Sequence, residues 1–478
     1  MIRRTKIVAT LGPATDKDLK SVIAAGVDVV RVNMSHGKPE DHINRVKGVR
    51  QCSKDLNREV AVLVDLQGPK IRIDRFRDQK VTLEVGAKFA LDADLGVDDG
   101  DQDAVGITYK TLPQDVDAGD VLLLDDGRLV LKVDRTTNTR IECTVVVGGE
   151  LSNNKGINRQ GGGLSAAALT DKDRTDIKLA AQLEADYLAI SFPRSANDVH
   201  EARELLRAAG GRGGIVAKIE RAEALDCLKE IIAASDAVMI ARGDLGVEIG
   251  DATLPPVQKR IIKLARTMNR IVITATQMME TMIENQIPTR AEVFDVANAV
   301  FDGTDAVMLS AETAAGKHPA VAVSAMDRIC REAEKQQVTK MSDHRINTRF
   351  SRSDEAIAMS AMYAANHLGV KAIAALTESG STALWMSRIS SDIPIYALSS
   401  QQDTCRRVNL YRGVKPVEHG INSQDHVAVN KAVVDILLEQ GAVSEGDLLI
   451  ITKGDLMGVL GGTNAMKIVR VGELVDPS

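Results

Sequence analysis

Apolar residues gather along the chain into short unbroken runs. The first four are "TKIVATLG" from Thr5, "VDVVRVNMS" from Val27, "VAVLVDLQG" from Val60 and "YLAISF" from Tyr187. Four more follow: "IVAKIE" from Ile215, "AVMIARGDLG" from Ala237, "IVITATQMM" from Ile271 and "AVMLSAET" from Ala306. Between successive runs the apolar positions recur at helical spacing. Continuous apolar strands alternating with helices predict a parallel sheet covered on both faces, and eight strands is the number that closes a (β/α)8 TIM barrel. Helix-start signals agree. Pro255 and Pro256 lie where a helix should open, and in "LTDKD" Thr170 precedes Asp173 by three residues, a capping pattern.

One interval breaks the alternation. After the third run come about a hundred residues with period-two stretches such as "VTLEVGAKFAL" and "LVLKVDRTTNTRIECTVVVGG", separated by Gly and Asp turns. They predict a β-rich domain inserted in a βα loop, on the barrel face that tolerates long loops and hosts active sites. Past the eighth run, "TKMSDHRINTRFSRSDE" reads as a linker. The runs "KAIAALTES", "PIYALSS", "GVKPVEH" and "DLLIITKGD" then alternate with helical segments as a separate α/β domain. The expected division is a discontinuous barrel over 1–69 and 168–340, an inserted domain over 70–167 and a C-terminal α/β domain over 341–478.

Composition narrows the function classes. The 478 residues carry a net charge of -6, and aromatics make up 3%. Few stacking side chains and an acidic balance argue against a nucleic-acid binder, without excluding a local anion site. No apolar run approaches membrane-spanning length and the N-terminal run is too short for a signal peptide, so a cytoplasmic protein with no membrane partner is expected. Cys52, Cys143, Cys227, Cys330 and Cys405 are far apart with no CxxC pair, and read as reduced core thiols rather than disulfides or a zinc site.

Charges at the strand ends carry the chemistry. In "GIVAKIERAEA", Lys218 and Glu220 interrupt an apolar strand near its end, and alternation puts both on one face. Alone, this pair reads equally well as a structural ion pair. Other strand ends add Arg31, Asn33, Ser35 and His36, then Asp65, Lys70 and Arg72, then Gly243 and Asp244, then Thr274 and Thr276, then Ser310 and Glu312. Glu220 and Asp244 are hard oxygen donors suited to magnesium or manganese, and Lys218, Arg31 and Arg72 could neutralise a phosphoryl group. Singly, His36 reads as a surface histidine, Thr276 as a satisfied barrel hydroxyl, "GDLG" as a tight turn and "TQMMETMI" as packing. No Walker loop, HExxH or GxSxG pattern competes.

Taken together, "TKIVATLGPAT", "RVNMSHG", "DLQGPKIR", "AKIERAEA", "ARGDLGVEI", "ATQMMETMI", "PTRAEVFDVANAV" and "MLSAETAAGKHP" resemble pyruvate kinase, in that family's order and over the whole chain. The resemblance implies transfer of the phosphoryl group of phosphoenolpyruvate to ADP, giving pyruvate and ATP. It implies that Glu220 and Asp244 hold the divalent metal and that Lys218 and Arg31 meet the phosphoryl group. The substrate carboxylate would lie against Gly243, Asp244 and Thr276. Thr276, Ser310 and Glu312 would lie on the route by which the enolate is protonated, and Asn33, His36, Arg72 and Lys155 would contact nucleotide. In "LTESGSTALW", Thr377, Ser379, Ser381 and Thr382 would receive the phosphate of a phosphorylated small-molecule effector, although an ordinary capped helix reads equally well from the residues alone. The resemblance also implies that the insert over 70–167 is a β-barrel-like lid, that the domain over 341–478 is regulatory, and that the protein is a homotetramer.

The chain departs from the family pattern at the potassium site. Potassium-dependent members hold the ion with residues matching Asn33, Ser35, Asp65 and a threonine, and carry a glutamate in the Gly-Pro-x-Ile-Arg turn. Here Leu66 replaces the threonine and Lys70 stands in "GPKIR". A fixed ammonium can replace a monovalent cation electrostatically, so potassium is not expected to be required. Two other classes are weighed: an enolate-forming barrel lyase, which needs no nucleotide-clamping lid, and a non-catalytic metabolite-binding barrel, which would be expected to have lost one of Lys218, Glu220, Asp244 or Thr276.

Overall fold

The computed structural model describes residues 2–340, 349–421, 423, 425–455 and 461–473. Part of the linker, 341–348, lies outside the described residues, as does the boundary expected at 341.

The eight apolar runs form the strands Lys6–Thr10, Val29–Asn33, Ala61–Asp65, Tyr187–Ile190, Gly214–Ile219, Ala237–Ala241, Ile271–Ala275 and Ala306–Leu309. Each pairs with its sequence neighbours and the first pairs with the eighth, closing an eight-stranded barrel. The first strand runs parallel to the eighth, with Lys6 opposite Ala306 and Ala9 opposite Leu309. Continuous burial explains the continuous hydrophobicity, since barrel strands face side chains on one side and helices on the other. The helix Leu254–Thr267 opens at the two prolines. Thr170 and Asp173 exchange capping bonds, Thr170 Oγ1 donating to Asp173 Oδ2 and the Asp173 N–H to Thr170 Oγ1.

The chain divides into two compact units, one of Met1–Val64, Gln182–Tyr187 and Ile262–Ser478, the other of Asp65–Ala181 and Leu188–Ile261. In the second, the inserted segment builds a six-stranded sheet ordered Ile157–Arg159, Val121–Leu124, Leu129–Thr136, Arg140–Val147, Lys88–Asp92, Ala104–Gly106, and a two-stranded sheet of Lys80–Leu83 with Gly149–Ser152. Alternation along "LVLKVDRT" buries Leu129, Leu131 and Val133 with Phe89, Leu122, Ile141 and Ile157 in a separate core. The hairpin turn after Leu124 has Asp125 at φ 50, Asp126 at φ 57 and Gly127 at φ 84, a left-handed run that short polar residues and glycine tolerate.

In the first unit the C-terminal region is a five-stranded sheet ordered Val414–Glu418, Ile395–Ser399, Ala372–Leu376, Leu448–Gly454, Thr463–Arg470. The four expected strands are parallel, and the fifth, absent from the sequence expectation, is antiparallel to Leu448–Gly454. Its exposed edge positions dilute the apolar signal: only Thr463 and Val469 of the eight are buried. Cys143, Cys330 and Cys405 are buried as expected, but Cys52 and Cys227 are half-buried, correcting the reading of all five as core. Burial pushes the three buried thiols up to about 12, so they are poor nucleophiles. No helix of the described residues is long and apolar enough to cross a membrane.

Candidate active site

In the second unit, the face shared by Lys218 and Glu220 is a packed ionic cluster. Lys218 is buried, and its ammonium lies 3.0 Å from Glu220 Oε1, 3.2 Å from Asp65 Oδ1 and 2.7 Å from Ser191 Oγ. Ser191 donates its own proton to the Leu66 carbonyl at 2.8 Å, so its oxygen is oriented to accept from Lys218. Glu220 Oε2 accepts the Phe192 N–H at 2.9 Å, and Phe192 sits at φ 57, a conformation rare for a bulky residue. Burial pushes the Glu220 carboxyl upward, the charges of Asp244 and Asp65 add to this, and Lys218 opposes it. Ionic clusters this deep are poor sources of net stability, because removing each charge from water offsets the attraction.

The sixth strand ends at Ala241 and the helix Arg242–Ile249 follows at once, so "GDLG" is the first turn of a helix and not the tight turn read from the sequence. Gly243 and Asp244 therefore lie where the helix dipole favours an anion. Lys70 reaches Asp244, Nζ to Oδ1 3.2 Å. The Gly68 turn before it is fixed from behind: its N–H donates to the buried Asp173 at 3.1 Å, and a Cβ on Gly68 would come 2.6 Å from Ser191 Cβ. One turn beyond Asp244, Glu248 accepts the Ala222 N–H at 2.8 Å and Asn158 Nδ2 at 3.3 Å, tying the helix to the Glu220 loop and to the inserted sheet. Arg72 and Lys155 belong to that insert. Arg72 bridges Gly156, its guanidinium donates to the Asn154 carbonyl at 2.8 Å, and Lys155 pairs with Asp125 at 2.7 Å.

In the first unit, Arg31 stands opposite Thr10 and donates to its hydroxyl at 3.2 Å. Asn33, Ser35 and His36 share one turn, in which Asn33 Oδ1 accepts the Ser35 N–H at 3.1 Å and His36 is exposed. Thr276 follows the seventh strand at φ 66, with Gln277 at φ 53. A β-branched residue there is strained. Its hydroxyl donates to the Ala275 carbonyl at 2.6 Å. Glu312 is buried and accepts the N–H groups of Ser310 at 2.7 Å and Met279 at 3.2 Å, and burial raises its pKa. The Ser310 hydroxyl is buried with no hydrogen-bond partner among the described residues. Thr377, Ser379 and Ser381 form one turn around Gly380 at φ 84, whereas Thr382 faces Thr463, hydroxyl to hydroxyl 2.9 Å.

Ser191 is the residue that sequence reasoning passed over. Its only signal is its place at the end of the fourth apolar run, where a serine offers little by itself. Glu248 was equally silent, since a glutamate on a short helix usually faces solvent.

Residues 2–323 match the family model described as pyruvate kinase, barrel domain, and residues 355–469 that described as pyruvate kinase, alpha/beta domain. The chain is 57% identical over 476 residues to pyruvate kinase II of Salmonella typhimurium, covering 98% of this chain and 99% of the relative. It is 56% identical over 459 residues to pyruvate kinase of Haemophilus influenzae, covering 95% and 96%, and 41% identical over 477 residues to that of Mycobacterium tuberculosis, covering 99% of each.

Proposed function

The chain belongs to the pyruvate kinase family, and from that premise we propose how its own side chains carry the reaction, transfer of the phosphoryl group of phosphoenolpyruvate to ADP to give pyruvate and ATP. The observation that carries the proposal is the buried ammonium of Lys218, fixed by Ser191, Asp65 and Glu220.

Magnesium, or manganese, is the metal this reading requires. Among the described residues no group of three His, Cys, Asp or Glu is arranged to hold an ion. A pair of carboxylates that leaves positions for water and substrate oxygens suits magnesium, and the upward push on Glu220 by the charges of Asp244 and Asp65 is one a divalent cation relieves. When bound, the ion supplies charge neutralisation at the phosphoryl oxygens.

In the transfer, the bond from phosphorus to the enol oxygen breaks as a terminal oxygen of ADP bonds to phosphorus, and negative charge stays spread over the phosphoryl oxygens. Lys218 and Arg31 are assigned to that charge. Lys218 needs no reorganisation because three partners already hold it, which is how a fixed charge favours a transition state. Gly243 and Asp244 at the helix start, with Thr276, are assigned to the substrate carboxylate, and Asn33, His36, Arg72 and Lys155 to nucleotide. The enolate left behind takes a proton at its methylene carbon. The strained backbone of Thr276 and the buried hydroxyl of Ser310 support their place on that proton route, and Glu312, both of whose oxygens accept backbone N–H groups, positions them.

Lys70 is assigned as the substitute for a monovalent cation. Its pairing with Asp244 supports this, since its charge is delivered beside the proposed metal ligand and not to solvent. We further propose a lid within 70–167, a barrel over 1–69 and 168–340 and a regulatory domain over 341–478, a homotetramer, a cytoplasmic location, and control by a phosphorylated metabolite at the Thr377–Ser381 turn. Pyruvate formation from phosphoenolpyruvate, followed with and without ADP and magnesium, tests the reaction. Formation independent of ADP would favour the lyase class instead.

A further inference from the structure

Within the first unit, at the N-terminal ends of its barrel strands, four arginines converge on two carboxylates. Arg388 is 1% exposed and grips Asp305 with both Nη atoms, Nη1 at 2.9 Å from Oδ2. Asp305 also accepts the N–H groups of Val272 at 3.0 Å and Arg412 at 3.2 Å. Glu334 accepts the N–H groups of Arg4 at 2.8 Å and Thr5 at 2.6 Å and the Thr5 hydroxyl at 2.8 Å, with Arg4 Nε 3.6 Å away. Both carboxylates are therefore committed. The Arg4 guanidinium donates to the carbonyls of Glu334, Thr339 and Ser391 and to the Thr339 hydroxyl, none of which carries charge.

Among the described residues, the four guanidinium groups outnumber the two carboxylates and leave a buried positive excess. Among the described residues, Arg266 Nη2 donates to the Arg388 carbonyl at 3.1 Å and reaches Ser390 Oγ at 3.5 Å, neither of which carries charge. Arg412 is buried, and its Nη2 has no hydrogen-bond partner among the described residues. Burial pulls the Arg266 guanidinium down to about 10, and the charges of Arg412 and Arg388 add to this. Arg412 is pulled down by burial, with Arg4 and Arg388 adding to it and Glu334 and Asp305 opposing. Arg4, Arg266 and Arg412 line a cavity of about 20 Å³, together with Thr339, Ser387 and Ser390. That is room for one water-sized group and too little for phosphate or a metabolite.

We propose that this cavity is a binding site for a monatomic anion, chloride in the cell, held by Arg412 Nη2 and the guanidinium of Arg266. A halide offers the negative charge that a water cannot, and a buried charge without compensation is among the most costly features a fold can carry. The site joins elements that would otherwise repel: the segment before the first barrel strand, the helix ending at Thr267, and the turn before Val414. It lies at the N-terminal end of the barrel strands, the face that serves stability and not chemistry.

The test uses the full-length protein. Apparent Tm is measured in sodium chloride and in sodium gluconate at matched ionic strength, and crystals are soaked in bromide for anomalous diffraction. The expected result is a saturable rise in Tm of about 2 °C or more in chloride, and a bromide peak beside Arg412 Nη2. Arg412→Met should abolish both. Equal Tm in the two salts, or no peak in the cavity, overturns the proposal, as does a chloride increment that survives in Arg412→Met. A peak that leaves Tm indifferent marks an adventitious ion only and overturns it too. Should the variant fail to fold, the two wild-type measurements decide.

Discussion

The ammonium of Lys70 lies 3.2 Å from Asp244 Oδ1, across 174 residues of sequence. A cation at that place makes activity independent of potassium in the reading argued above. Lys70→Glu removes one positive charge and adds a negative one, so activity should fall in potassium-free buffer and recover in part on adding potassium, incompletely while Leu66 occupies a ligand position. Wild type assayed in tetramethylammonium buffer at matched ionic strength should show no large activation by potassium. Strong activation there would refute the role of Lys70 and leave the family reaction standing.

Lys218→Met should lower turnover by about 10² to 10³ or more, because a preorganised charge opposite a developing one is lost. The same change strands the buried carboxylates of Glu220 and Asp65, a situation that costs about 3–5 kcal/mol when one partner of a buried pair is removed. Thermal unfolding must therefore accompany the kinetics. Near wild-type turnover at saturating magnesium in a folded variant would make Lys218 a structural residue.

Gly68→Ala should act at a distance on the same ammonium. The backbone is at φ 67 and the new methyl would meet Ser191 Cβ at 2.6 Å, so Ser191 must shift and its bond to Lys218 must loosen. The expected outcome is a drop in kcat larger than any rise in KM, with Tm lowered. A variant with unchanged kcat would show that the Ser191 contact does not position Lys218.

Glu248 should make stability fall between about pH 5 and 7. Burial pushes its carboxyl up to about 7, Glu223 adds to this, and the Ala222 N–H and Asn158 oppose it. Its folded pKa lies above the usual value for a glutamate, so in that window the folded state holds a proton that the unfolded chain has released. Stability then declines as pH rises through the window. Glu248→Gln imitates the protonated form and should flatten the decline, raising stability at pH 8 by about 1–3 kcal/mol. Denaturant titrations of both proteins at pH 5 and pH 8 would expose an error if the pH slopes coincide.

Much of this protein is legible one residue at a time. The eight barrel strands announce themselves because both of their faces are buried, and continuous burial demands continuous apolar runs. The insert is equally plain, since one-sided burial writes a period of two into "LVLKVDRT". The fifth C-terminal strand escaped because an exposed edge puts no such demand on its residues. Alternation alone places Lys218 and Glu220 on one face, and the 3.0 Å contact between them follows from local geometry.

What tertiary structure decided is which charges meet. Asp65, Ser191 and Lys218 come from three different strand ends, and no local rule names Ser191 as the acceptor that orients the ammonium. The first turn of the helix Arg242–Ile249 looked like an isolated tight turn because "GDLG" lacks a side-chain cap, and packing supplied what propensity did not. The same holds at the N-terminal ends of the barrel strands. Arg4, Arg266, Arg388 and Arg412 are unremarked basic residues in sequence, and only folding brings them around Asp305 and Glu334 with charge to spare. Sequence determines the elements because each obeys its own pattern of burial. Electrostatic partnership depends on distance in space, which the packing of those elements sets.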